Sequence, residues 1–136
     1  MSISKFNLEF SISANRINSA LKKTIAEASE DLVDKIVKTT PVKTGRLRGN
    51  WTAMLNDYES AKFTNRYDKS GSTTFNRAKE VLSAYKLTDE IFISNNLEYA
   101  EKIEYGYSAQ SPYGMVRVSV RSFDVFLELR AQQNKV

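Results

Sequence analysis

The sequence of 136 residues contains neither cysteine nor histidine. Without cysteine there are no disulfides, thiolate nucleophiles or thiolate metal ligands, as is typical of a protein made in a reducing cytoplasm. Without histidine there is no Ser-His or Cys-His relay and no imidazole that titrates near neutral pH. The usual zinc sites and the commonest hydrolase mechanisms are therefore excluded.

Long apolar runs are also absent. No run approaches the ~20 residues that span a bilayer, and the amino terminus lacks the basic-then-apolar pattern of a signal peptide. We therefore expect neither a membrane-spanning protein nor one secreted by that route. The net charge of +4 is compatible with nearby DNA or acidic protein but identifies neither. The length and ordinary composition predict one folded domain covering residues 1–136.

Glycine and proline are scarce, with five and two residues respectively. These residues occur where backbones turn tightly or approach each other closely. Gly71 lies alone in a polar stretch, whereas the others cluster at two places: Pro41, Gly45 and Gly49, then Gly106, Pro112 and Gly114. We expect both clusters to flank a sheet.

Apolar spacing of three and four residues from Ile17 to Ile36 predicts a long helix. Ser13 is a suitable N-cap, and Pro41 disfavours helical backbone in the residue before it. The predicted helix therefore runs from Ala14 to Thr39.

Strand patterns occur twice. Alternation predicts a strand from Leu47 to Leu55, and β-branched content predicts another from Glu90 to Ser94. Between them, Asn56 to Thr74 has no apolar period and is predicted to be a long exposed loop. Helical spacing predicts further helices over Phe75 to Lys86, Leu97 to Tyr105 and Met115 to Gln132. The β-branched content of Met115 to Val120 leaves a strand there as the alternative. The fold class is α+β: a small, mostly antiparallel sheet packed by a long N-terminal helix and a C-terminal helix.

Three segments together resemble one protein family. The segment from Thr40 to Trp51, TPVKTGRLRGNW, resembles the TPVdTGrLraNW segment of phage head–tail joining, neck and tail-completion proteins, the group that includes lambda minor tail protein Z. The segment from Ile93 to Gly106 resembles that family's isNnlpYA..lEyG. The segment from Ser108 to Val116 is similar to its S.QaP.GmV element. The three segments occur in the family's order, so the resemblance covers nearly the whole chain.

The resemblance implies a structural virion protein of a long-tailed bacteriophage, with no catalytic residues, metal or cofactor. It implies a closed ring, which we expect to be a hexamer or dodecamer, in the neck or at the top of the tail. The implied partners are other copies of the chain, portal, adaptor or stopper proteins, and the tail terminator or tail tube. Genomic DNA would pass through the lumen, assembly would occur in the host cytoplasm, and no membrane contact is expected.

The first candidate interface is the arginine pair after the Pro41 turn. On the predicted strand, Arg46 and Arg48 lie on the same side, where two guanidinium groups suit a partner's carboxylate or a phosphate. The alternative is an ordinary pair of surface ion contacts. Trp51, the only tryptophan, is interpreted as a core residue, with an interface anchor as the alternative.

The predicted loop interleaves aromatic and basic side chains. Tyr58, Phe63, Arg66 and Tyr67 carry this pattern, which suits stacking on single-stranded nucleic acid. It also suits contact with a neighbouring protein ring, which we favour over contact with DNA in the lumen and over an inert mobile loop. A basic nucleic-acid-binding module is therefore the alternative function.

Tyrosine and glutamate crowd the region from residue 98 to residue 113. Tyrosine is favoured at interfaces because it buries a large ring and keeps a polar tip in water. The carboxylates at 98, 101 and 104 also allow an acid/base or metal-dependent hydrolase, the least supported hypothesis. The full set of predicted interface residues is Arg46, Arg48, Tyr58, Phe63, Arg66, Tyr67, Tyr99, Glu104, Tyr105, Tyr107, Gln110 and Tyr113.

Overall fold

The computed structural model of the chain describes the backbone of residues 3–106 and 108–136, and side chains from Ile17 onward. Within these ranges the elements follow in the order α1 (Ile3–Thr39), α2 (Arg46–Gly49), β1 (Thr52–Leu55), α3 (Ser72–Leu82), β2 (Ile91–Ser94), α4 (Ala100–Glu104), α5 (Val116–Val120) and α6 (Phe123–Gln133). The two strands pair antiparallel, from Thr52 opposite Ser94 to Leu55 opposite Ile91. The predicted α+β class is confirmed.

Helix α1 ends at Thr39, as predicted from Pro41, but begins much earlier in the sequence than predicted. It starts at Ile3, so the predicted start at Ala14 is wrong and Ser13 lies inside the helix instead of capping it. No glycine or proline precedes Pro41, and extending a helix costs less than nucleating one. The resulting helix is about 55 Å long at ~1.5 Å per residue.

The core lies where α3 packs against the C-terminal half of α1 and against β1. Helix α6 lies along α1. Trp51 belongs to this core, and its indole nitrogen donates to the Thr40 hydroxyl at 2.8 Å. The buried apolar side chains that form this core cluster are Val33, Ile36, Val37, Leu47, Trp51, Ala53, Ala78, Leu82, Leu97, Ala100 and Met115.

The strand predicted from Leu47 is wrong in its first half. Residues Arg46–Gly49 form the helical turn α2, and the strand begins only at Thr52. Gly45 starts the turn with a φ of 86°, and its carbonyl accepts bonds from the Gly49 and Asp68 amides at 2.9 and 3.0 Å. Residues two apart on a helix point about 200° apart. Arg46 and Arg48 therefore do not share a face.

The prediction of a single final helix from Met115 is also wrong. The helix is interrupted at Arg121 and Ser122, which separate α5 from α6. The Ser119 hydroxyl donates to the Met115 carbonyl one turn back, a bond that bends helices. The Lys35 ammonium then bonds the Ser122 hydroxyl and holds the break against α1. None of the described helices is both long and apolar enough to cross a bilayer.

Candidate partner interface

Arg48 joins three segments of backbone. Its Nε donates to the Thr40 carbonyl at 3.0 Å. Its two terminal nitrogens donate to the carbonyls of Lys69 at 2.6 Å and Lys38 at 3.1 Å. The rigid guanidinium fork suits such divergent acceptors, which an ammonium group does not. Arg48 thus binds the end of α1 to the β1–α3 loop, and its guanidinium is engaged within the molecule.

Asn50 anchors the same loop from the core side. The side chain is buried, and its amide nitrogen donates to the carbonyls of Arg46 at 2.8 Å and Phe63 at 2.9 Å. Its oxygen accepts the Phe63 amide at 2.8 Å. Three bonds from one buried amide therefore connect α2 to the middle of the loop.

Two glycines allow the loop backbone to approach α2. A Cβ at Gly49 would lie 2.5 Å from the Arg66 carbonyl oxygen. One at Gly45 would lie 2.6 Å from the Lys69 amide nitrogen, at a positive φ that L residues rarely adopt. The loop therefore lies directly on the Gly45–Gly49 turn, and any side chain would separate them.

Asp68 connects the loop to α3. Its carboxylate accepts the Thr74 amide and hydroxyl, both at 2.8 Å, and the Gly71 amide at 3.1 Å. Burial raises the pKa of Asp68, but these hydrogen bonds outweigh it and place the pKa below its usual value. Most of the loop is exposed, as predicted, and it is bonded at its middle by Asn50 and near its end by Asp68. It ends before the predicted Thr74, because α3 begins at Ser72.

The other two segments with family resemblance close the junction. The Asn95 amide donates to the Leu47 carbonyl at 2.8 Å, and the Asn96 amide donates to the Ala61 carbonyl at 3.1 Å. Gln110 accepts the Val42 amide at 3.0 Å. We call this connected set, in which all three segments meet, the motif junction. The sequence analysis did not predict that the polar side chains of the motif junction bond to backbone groups. Short polar residues beside glycines are the usual signal of such bonds.

Glu104 is a predicted interface residue that the structure places in a capping role. It accepts the amides of Met115 and Val116 at 2.7 Å and that of Arg117 at 3.0 Å. Burial raises the pKa of Glu104, but the bonds from these amides and from the Arg117 side chain outweigh it, so the pKa lies below 4.5. Glu104 thus holds the start of α5 against α4.

This cap predicts an acid-sensitive contribution to stability. Because the folded-state pKa of Glu104 is depressed, its contribution is complete above the unfolded-state value of 4.5 and is lost as pH falls through the folded-state value. We expect Glu104→Gln to lower the melting temperature at pH 7 and to approach wild type in strong acid. Thermal melts between pH 7 and pH ~2 measure this difference. Glu80→Gln, at an exposed position on α3, is the control, and a Glu104→Gln deficit that did not change with pH would contradict the assignment.

The remaining carboxylates of the predicted acidic strip do not converge with Glu104. Glu98 pairs with Lys62 at 3.0 Å, and this hydrogen bond and charge hold the pKa of Glu98 below its usual value. Glu101 is exposed. Among the described residues, no group of three potential metal ligands was found. The hydrolase hypothesis therefore gains no geometric support.

Most of the predicted aromatic residues are on the surface. The exposed fraction of the side chain is 59% for Tyr58 and 78% for Tyr113, and Tyr67 and Tyr105 have values between these. Single rings at this exposure are available to a partner. Tyr107 lies outside the described residues.

Three of the predicted residues take part in cation–π contacts within the chain. The Arg66 guanidinium lies 3.5 Å from the centre of the Phe63 ring. The Arg117 guanidinium lies 4.9 Å from the centre of the Tyr105 ring. One face of Phe63 is therefore already covered by a cation of the same chain.

Three of the predicted interface residues meet at one cleft of about 210 Å³. Arg46, Tyr99 and Gln110 line it, together with the Pro41–Leu47 turn. The Nε of Arg46 is buried and has no hydrogen-bond partner among the described residues. A buried donor without an acceptor costs free energy, and the Arg46 side chain that carries this donor is one of those lining the cleft.

The chain matches a known protein family over most of its length. Residues 6–106 match the family described as "Bacteriophage HK97-gp10, putative tail-component". The match covers well over half of the chain and includes the first two segments of the motif junction. The protein is thus a phage structural component, and the chain belongs to the HK97-gp10-like family. Neither the curated proteins nor the solved structures gave a match.

Proposed function

We propose that this protein is a neck or tail-completion component, which forms a closed ring, joins the tail to the head connector and lets DNA pass through the lumen. The observation that carries the proposal is the family match over residues 6–106. A tail-component family supports a location in the virion, and the proposal refines this location to the neck or the top of the tail.

The role is mechanical, and the structure offers two features that suit it. The motif junction connects loop, helix and sheet through a network of side-chain hydrogen bonds, which suits a unit that keeps its shape under load. The cleft at Arg46 and the exposed tyrosines offer contact sites around that unit. Ring closure requires heterologous contacts between identical copies. The proposed partners are other copies, the portal, adaptor or stopper, and the tail terminator or tube.

A nonsense mutation in this gene of the phage tests the proposal. We expect filled heads and unjoined tails to accumulate separately, because heads and tails assemble independently and the component that joins them is missing. Electron microscopy of lysates measures the joined fraction, and mass spectrometry of purified particles detects the protein. Complementation with the wild-type gene is the control. Joined, infectious particles at normal yield without the protein would overturn the proposal.

A further inference from the structure

Arg46 differs from the other partly buried arginines whose side chains the structure describes. Arg66 lies over the Phe63 ring, and the rest donate to carbonyls or carboxylates of their own chain, namely Arg48, Arg77 and Arg130. Arg46 has no ion pair with a described residue, and its buried Nε has no hydrogen-bond acceptor among them. Its guanidinium is therefore not engaged within the described part of the chain.

The cleft that Arg46 lines, which we call the Arg46 cleft, is basic. Lys43 contributes a second cation, and no aspartate or glutamate among the described residues lines the cleft. The hydroxyl groups of Thr44, Tyr99 and Ser108 add hydrogen-bond donors. A carboxylate only accepts hydrogen bonds and carries the opposite charge, so it is the protein group that complements this lining.

Part of the lining of the Arg46 cleft is apolar and held in place. The Gln110 side chain bonds both backbone groups of Val42, at 3.0 Å to the amide and 3.5 Å to the carbonyl. Leu47 is buried, and Ile103 packs against the core. The volume of about 210 Å³ is smaller than the ~300–1,000 Å³ of typical ligand pockets, so the cleft suits a single side chain with an aliphatic stem.

The surroundings of the cleft suit an isolated carboxylate better than DNA. Glu98 directly precedes Tyr99, and its side chain is 87% exposed. The hydrogen bond and charge of Lys62 are the main reasons that the pKa of Glu98 is low, and the charge of Arg46 adds to them. Duplex DNA carries one charge per ~1.7 Å of its axis, which suits a row of cations on an open surface. Two cations in a recess beside Glu98 do not form such a row.

The net charge favours a different protein over a second copy in the cleft. The chain carries a charge of +4, so two copies repel each other overall. An acidic protein is attracted to the same surface, and complementary charge increases the rate and specificity of association.

We propose that the Arg46 cleft binds a glutamate or aspartate side chain of a neighbouring acidic virion protein, with the carboxylate at the Arg46 guanidinium and the stem against the apolar part of the lining. This inference rests on the proposed neck or tail-completion function and identifies one contact through which the protein recognises a partner.

NMR titration of the isotope-labelled full chain tests the chemistry. The probe is a short peptide with one glutamate between alanines, blocked at both ends, and the control peptide has glutamine in its place. We expect saturable changes in the amide resonances of Lys43, Thr44 and Arg46, and at least about tenfold weaker binding of the glutamine peptide. Arg46→Ala should abolish binding, whereas Arg121→Ala, at an exposed position, should not. Equal binding of the two peptides, no saturable change, or unaltered binding to Arg46→Ala would each overturn the proposal.

Two further titrations identify the source of the carboxylate. A short DNA duplex, and the protein alone over a range of concentrations, are expected to leave the Arg46 resonances unchanged. Changes caused by the duplex that Arg46→Ala removes would assign the cleft to phosphate. Changes that grow with protein concentration would assign it to a second copy. Either result overturns the proposal.

Charge reversal tests whether the contact is used in assembly. We expect Arg46→Glu to lower the yield of joined particles at least about tenfold, because the cleft would then repel the partner's carboxylate. Arg121→Glu, an equal charge change outside the cleft, should have no effect. Normal joining by Arg46→Glu phage would show that the cleft binds no carboxylate in the particle. The nonsense mutant judges the neck role separately.

Discussion

Replacing Arg48 with alanine is expected to lower the free energy of unfolding by about 2 kcal/mol. Three backbone carbonyls, those of Thr40, Lys69 and Lys38, lose a charged donor at once. A hydrogen bond from a charged group contributes about 1.5–3 kcal/mol, but two of these three are exposed, so water replaces part of the loss. Urea denaturation of the purified variant measures the change.

Arg46→Ala is the matched control for Arg48→Ala. Arg46 has a buried nitrogen without a partner, so its removal is expected to leave the stability nearly unchanged while lowering the yield of joined particles. Arg48→Lys should resemble Arg48→Ala, because an ammonium group does not reach three divergent acceptors. Equal stability of the Arg48→Ala and wild-type proteins would show that the guanidinium bonds do not support the fold. Arg48 would then be an ordinary surface residue that does not stabilise the fold.

Asn50→Ala is expected to cost about 3 kcal/mol and to loosen the β1–α3 loop. The buried amide makes three bonds, and its loss strands the Phe63 amide and carbonyl as well as the Arg46 carbonyl. Each unsatisfied group costs about 1 kcal/mol or more. Hydrogen exchange measured residue by residue should show the Phe63 amide protected in the wild type and fast in the variant.

The control for Asn50→Ala is Asn76→Ala, which removes the same group from an exposed position on α3. It is expected to leave both the unfolding free energy and exchange in the loop unchanged. Exchange in the wild-type loop as fast as in an unfolded chain would mean that the Asn50 bonds do not form in solution. Loosening throughout the Asn50→Ala molecule, with no excess in the loop, would show that the side chain stabilises the core and does not anchor the loop.

The fold showed that the predicted interface residues differ in what they contact. Arg46, Tyr99 and Gln110 line one cleft, although the sequence analysis placed Arg46 in one candidate interface and the other two in a separate region. Arg48 and Glu104, and also Gln110, are engaged by backbone groups of their own chain. A charged residue in a family motif looks the same in sequence whether it binds a partner or its own backbone, because the difference depends on which carbonyls and amides lie within reach.

Local pattern was sufficient for the elements whose conformation depends on neighbours in sequence. Apolar spacing and Pro41 placed the end of α1, and β-branched content placed β2. The order of three short segments was enough to indicate the family. These features are local because helix periodicity, proline geometry and side-chain type act within a few residues.

Only the tertiary structure decided the conformation of Arg46–Gly49, because its alternating residues suit a strand and a helical turn equally well. The turn is selected by Asp68 and Arg66, residues far along the chain whose backbones lie against Gly45 and Gly49. Which apolar residues of α1 and α6 stay exposed was likewise not predictable from the sequence, since spacing shows that a helix has an apolar face but not which apolar residues a neighbour covers. Burial depends on the packing of distant segments, and the residues left uncovered by that packing are the ones available to other chains.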